Sequence, residues 1–165
     1  MTGHDPNAEG AAAIREAAEF LIDNGGNVVY IAKDDGQEML VRGEVDMAVE
    51  YSGDIFQIMD ECECDTYAYV IPEEGTNFWL DNLVIPVGAP NKALAETFID
   101  YVLDPHVGAS IANYTAYGSP NLAAIDMELI DPELAEDPGI YPSAETQERL
   151  FFATQSAERE QLLFE

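Results

Sequence analysis

Four short runs of β-branched and aromatic residues, separated by segments of helical period, constrain this chain more than any other feature. The runs are 27–32, 45–51, 67–72 and 77–86. Side chains alternate across a strand, so a run such as Val45-Asp46-Met47-Ala48-Val49-Glu50-Tyr51 reads as a strand with two unlike faces. Ile14, Ala17, Ala18, Leu21 and Ile22 instead share one face of a helix, as do Leu94, Phe98, Tyr101 and Val102. The spacing predicts helices over 6–23, 34–42, 53–61, 91–103 and 105–116. Asp5-Pro6, Asn91 and Asp104-Pro105 are start signals, and Asn24-Gly25-Gly26 and Gly43 are stops. Residues 129–141 are acidic and broken by proline, which allows single turns at most. Residues 143–150 and 157–164 are helical by composition. Strands alternating with helices predict an α/β fold, and 165 residues suffice for a domain with a real core.

Charge narrows the function. The chain carries 33 acidic residues against 6 basic ones, a formal net charge of −27. Such a field repels nucleic acid and anionic membrane surfaces and draws in cations. The acids are spread along the whole chain, so most of them read as a solvated surface suited to high salt. The low lysine count, Lys33 and Lys92 alone, agrees. A binding site needs only a few carboxylates. No apolar run is long enough to span a membrane, and residues 1–6 have neither the basic nor the apolar region of a signal peptide. Cys62 and Cys64, one residue apart, suit neither zinc nor an easy disulfide and are expected as free thiols. Asp34-Asp35-Gly36 lacks the alternating ligands and closing glutamate of a calcium loop. His4 and His106 have no nucleophile beside them, and no phosphate or dinucleotide motif is present. The expectation is a protein that is not an enzyme and holds no cofactor or metal.

One run carries a candidate site. In Asn77-Phe78-Trp79-Leu80-Asp81-Asn82 a strand would place Trp79 and Asp81 on the same face, about 7 Å apart. A ring beside a carboxylate suits an organic cation: the ring attracts the positive charge and packs on alkyl carbons, while the carboxylate pairs with an ammonium. A core tryptophan followed by a surface aspartate is the other reading. Tyr51 and Asp54 flank a strand-to-helix turn, the edge where open α/β sheets bind ligands. A first-turn carboxylate at Asp54 is also what the helix dipole alone favours.

Three segments, in order, strengthen the first reading. Gly43-Glu44-Val45-Asp46 through Tyr51-Ser52-Gly53-Asp54, then Phe78 to Pro86, then Tyr117-Gly118-Ser119-Pro120-Asn121-Leu122-Ala123-Ala124 resemble the polyamine-binding (spermidine/putrescine) subunit of bacterial ABC importers. Tyr141-Pro142 and Ala144-Glu145-Thr146 fit as well. The resemblance implies a type II periplasmic-binding-protein fold, in which two α/β lobes close on the ligand. It assigns residues 1–80 and 126–165 to the second lobe and 81–125 to the first. It also implies that Tyr51 and Trp79 sandwich a methylene chain, that Asp81 and Asp54 hold ammonium groups, and that Tyr117 adds a wall or a hydroxyl. The implied partners are a polyamine and an importer permease, in a periplasmic or extracytoplasmic setting. Family members often have Trp where Tyr51 stands, and they are roughly twice as long. The chain resembles their C-terminal half, so a partial fold is expected, with a homo-oligomer or a complementary missing half. An interaction or structural protein without ligand binding, and a binder of an amino acid or iron complex, stand as alternatives. The retained aromatic and acidic positions favour polyamine; the length favours the interaction reading.

Overall fold

Helices form where capping and period agree. A computed structural model describes residues 3, 5–7, 10–31, 34–62, 66–154 and 160–161. Its helices are α1 (Ala11–Asn24), α2 (Gly36–Val41), α3 (Ser52–Cys62), α4 (Lys92–Leu103), α5 (Pro105–Thr115), and the short turns α6 (Leu122–Asp126), α7 (Pro132–Ala135) and α8 (Ala144–Gln147). The Asp104 carboxylate accepts from the N–H groups of His106 at 2.9 Å and Val107 at 3.2 Å, and Pro105 opens the first turn of α5. Asn121 caps α6 by accepting from the Ala124 N–H, and Ser143 caps α8 by accepting from the Thr146 N–H.

Helix α1 starts later than expected. Asp5 accepts from the Asn7 N–H at 2.8 Å, which closes a local turn. The Asn7 side chain is committed elsewhere: it donates to the Phe152 carbonyl at 2.9 Å and accepts from the Thr154 N–H at 2.8 Å. Asp5-Pro6 thus belongs to a tie between chain regions, and Gly10 precedes the helix. Cys62 is disulfide-bonded, against the expectation of a free thiol; Cys64 lies outside the described residues. So do most of residues 157–164.

The core is small and built from small side chains. Ala109 and Ala112 of α5, Ala124 of α6 and Ile130 form its centre, with Leu129, Leu134 and Tyr141 packed around them. Alanines let α5 and α6 approach closely. Asn113 stitches this layer to the next turn: it donates to the Leu129 carbonyl at 3.3 Å and accepts from the Asp131 N–H at 3.0 Å.

The four expected strands do not form. Among the described residues there is no β-ladder, only one isolated parallel bridge between Asn77 and Phe151. There the Phe78 N–H donates to the Phe151 carbonyl at 2.8 Å. Val28, Val29, Tyr30, Ile31, Met47, Val49, Val70, Leu83 and Val84 all face solvent. A strand is stable only beside a partner, and among the described residues no second run lies alongside. The α/β expectation is therefore corrected for the chain by itself: it is helix-rich, with strand-like runs left unpaired. Exposed area agrees. The chain leaves 12676 Å² accessible, against about 8,100 Å² for a compact monomer of its mass.

The Asp104 cap is the best-satisfied helix start near the core. Asp104→Ala should lower stability by about 1 kcal/mol, while Asp104→Ser should retain most of it. Thermal melts of the two variants against the parent check this.

Candidate functional site

Three distant segments meet at Trp79. Its ring centroid lies 5.0 Å from that of Tyr51, with planes 72° apart, and 6.1 Å from that of Tyr117, at 78°. Both contacts are edge-to-face, the arrangement that aromatic quadrupoles favour. Phe78, the neighbour on the chain, turns away and packs edge-to-face on Phe152 at 4.7 Å. The alternation expected of a strand thus survives locally at 78–79 without a ladder.

Local backbone geometry delivers Tyr117. Ala116 ends α5 in the left-handed conformation (φ 55°), its N–H donating to the Ala112 carbonyl at 2.8 Å. That conformation costs a residue with a Cβ about 1–2 kcal/mol, and here the packing around buried Ala116 over-determines it. The chain then leaves the helix toward α3. Gly53 lies directly under the Tyr117 ring, and a Cβ at that position would fall onto the ring. Glycine at the start of α3 is what allows the ring to seat there.

The cleft at this junction has a volume of about 640 Å³. Tyr51, Trp79, Asp81 and Tyr117 all line it, with Tyr69 and Ile140 among the other walls. Among the described residues that line it, Asp81 alone carries a charge. Trp79 is 38% exposed and Tyr51 48%, so the rings are open to a ligand. Four of the five expected site residues are therefore brought together. Asp54 is not on this wall. It lines a neighbouring hollow with Glu38, Arg42, Gln57 and Glu61, near enough for its charge to act on the Tyr117 phenol.

That link shows in the acid–base behaviour of Tyr117. Its phenol is pushed up to about 12, first by burial and then by the Asp54 charge and the hydrogen bond to its carboxylate. Burial also raises Tyr69, partly offset by a hydrogen bond with Ser52. Tyr69 was not singled out by sequence. Its ring packs on Phe56 at 5.5 Å, over Gly139. The signal was the alternation Tyr67-Ala68-Tyr69-Val70-Ile71, which marks a face without saying what that face meets.

Chemically, the cleft offers ring edges and faces and, among the described residues that line it, one carboxylate and no basic side chain. It can hold a cation with an alkyl body. Among the described residues, no group of three or more acidic, histidine or cysteine side chains is placed to hold a metal.

The raised Tyr117 phenol predicts a pH dependence with a definite sign. The native state favours the protonated phenol, so its contribution is complete below about pH 10 and is lost as pH rises toward 12. In melts across that range the parent should lose stability more steeply than Tyr117→Phe. Parallel losses in the two proteins would show that Tyr117 is not held as described.

Comparison with known proteins follows the same residues. Residues 2–142 match the bacterial extracellular solute-binding protein family, a stretch that includes Tyr51, Asp54, Trp79, Asp81 and Tyr117. The chain is 34% identical over 145 residues to the spermidine/putrescine-binding periplasmic protein of Salmonella typhimurium, covering 87% of this chain and 40% of that protein. It is 30% identical over 154 residues to the putrescine-binding periplasmic protein PotF of Escherichia coli, covering 90% and 41%. Against the putrescine-binding periplasmic protein SpuD of Pseudomonas aeruginosa it is 29% identical over 153 residues, again 90% and 41%. It spans about 40% of the length of these relatives and resembles their C-terminal portion. On the extent of the family match, the chain belongs to the bacterial extracellular solute-binding proteins.

Proposed function

We propose that this chain contributes the binding cleft of a polyamine-binding component that feeds an ABC importer outside the cytoplasm. One observation carries the reading: Trp79, flanked edge-on by Tyr51 and Tyr117, shares a cleft with Asp81, the one charged side chain among the described residues that line it. The relatives named above bind spermidine or putrescine by their names, which favours a polyamine over an amino acid or an iron complex. The protein captures and delivers its ligand and has no catalytic task.

In this reading the methylene chain lies on the aromatic rings and one ammonium pairs with Asp81. The other pairs with Asp54, whose charge acts on the Tyr117 phenol at the cleft wall. An ammonium desolvated between rings gains about 2 kcal/mol, and each hydrogen bond to a charged group about 1.5–3 kcal/mol. A micromolar complex needs about 8 kcal/mol, net of ordering, so both ends must be held. With a single carboxylate lining the cleft, binding by this chain should be weaker than micromolar.

The exposed surface favours an addition to the proposal. The chain exposes roughly 4,600 Å² more than a compact monomer would, more than one partner gives to a standard interface, about 800 Å². The unpaired runs that include Val28–Ile31 and Leu83–Val84 have the composition of central strands. We take their partner to be the portion of the relatives that this chain does not span, adding strands edge to edge. The two lobes would then comprise residues 1–80 with 126–165, and residues 81–125 with that portion. Self-association of the chain is the competing outcome.

Trp79 is the only tryptophan, so its fluorescence reports on the cleft. Putrescine and spermidine, titrated at moderate salt, should change it at concentrations where sodium and magnesium do not. Asp81→Asn should weaken the polyamine response at least about tenfold, and Glu133→Gln, on exposed α7, should leave it unchanged. An equal response to magnesium, or parental binding by Asp81→Asn, would return the chain to the interaction-protein reading.

A further inference from the structure

We propose that Tyr141 is a positioning residue of the cleft: its hydroxyl accepts the Ser119 N–H and so holds the 117–121 loop where the Tyr117 ring meets Trp79. The bond is 3.0 Å long and partly buried. It joins two stretches that stand apart in the chain, the loop after α5 and the turn after α7.

Tyr141 is well placed for this. Its ring packs on the alanine core of α5 and α6, the most buried part of the molecule. The turn that carries it is closed by its own bonds: the Tyr141 N–H donates to the Asp137 carbonyl at 2.8 Å, and the Gly139 N–H to the Asp137 carboxylate at 2.7 Å. Gly139, Ile140 and Pro142, on either side of Tyr141, line the cleft themselves. The hydroxyl is therefore a fixed acceptor, tied to both the core and the cleft wall.

The loop has fixed ends. Ala116 is bonded back into α5 at one end. At the other, the Asn121 side chain donates to the Leu103 carbonyl at 2.8 Å, and its N–H donates to the Ser119 hydroxyl oxygen at 3.2 Å. Between those ends the Ser119 N–H spans to Tyr141. Without that acceptor a partly buried N–H loses its partner, and the loop must move to find water. Any such movement carries Tyr117 with it, because only Gly118 separates that residue from the bonded amide. Gly118 leaves little slack on this side, since a Cβ there would lie 3.0 Å from the Ile140 carbonyl oxygen.

Tyr141→Phe removes the hydroxyl and keeps the ring on the core. Tyr67→Phe is the control, because the Tyr67 hydroxyl makes a similar bond to the Leu40 carbonyl at 3.2 Å, away from the loop. Tyrosine-labelled nuclear magnetic resonance would follow the Tyr117 phenol, assigned with Tyr117→Phe. In Tyr141→Phe the phenol should titrate closer to its ordinary value of about 10, and the Trp79 indole signals should shift. In Tyr67→Phe neither should change. Putrescine affinity should fall about fivefold to tenfold in Tyr141→Phe alone, at matched thermal stability. This affinity arm rests on the polyamine reading, whereas the titration does not, so a parent that binds no putrescine defeats only that reading. Should Tyr141→Phe fail to fold, amide exchange in the parent decides: the Ser119 N–H must be protected. A freely exchanging Ser119 amide, or a Tyr117 titration untouched by Tyr141→Phe, overturns the proposal.

Discussion

The edge-to-face contacts of Trp79 tie its irregular run to the junction of α3 and α5. Tyr51 precedes α3, Trp79 sits in an irregular run, and Tyr117 follows α5. Each such pair contributes about 0.5–1.5 kcal/mol beyond area burial. In a chain whose core is a handful of alanines and isoleucines, that is a substantial share of what positions the cleft. The cleft walls depend on the same junction. Gly53 admits the Tyr117 ring, Ala116 aims it, and Phe78 on Phe152 anchors the run that presents Trp79.

Electrostatics acts on two scales. The net charge of −27 raises the local concentration of any cation without choosing among cations. Selection needs a geometry that sodium or magnesium cannot use, and rings beside one carboxylate provide it. A small hydrated metal ion gains little from an aromatic wall, whereas an alkyl ammonium gains from both its charge and its carbons. Asp54, in the next hollow, still acts on the wall through its charge, which with burial raises the Tyr117 phenol.

Much of this was legible in the sequence, for local reasons. Helices α3, α4 and α5 lie within a residue of their expected spans, because capping residues and apolar period act within one turn. Asp104-Pro105 marked a boundary for the same reason. Helix α1 was placed too early because the Asn7 tie to residues 152–154 is non-local. The strands failed for a related cause. Alternation in 45–51 records which side chains a sheet would bury, but pairing belongs to the neighbouring strand, and none of the described runs supplies it. At the site, residue type and spacing point to Trp79 with Asp81 but leave a core tryptophan beside a surface aspartate open, and family resemblance favours the first. Tyr117 came from family resemblance, since a loop has no period to read. Asp54 likewise came from family resemblance, a first-turn carboxylate being what the helix dipole alone favours, and it lines the neighbouring hollow. Tyr69 and Tyr141 were not assigned to the site because their importance lies in contacts across the chain.

In the proposed function the alkyl body of a polyamine lies on the rings gathered at Trp79. Isotope-filtered nuclear Overhauser measurements on the chain with labelled putrescine address it directly. The account predicts transfer from the putrescine methylenes to ring protons of Trp79, Tyr51 and Tyr117. Transfer to scattered surface groups, or none to Trp79, would contradict it.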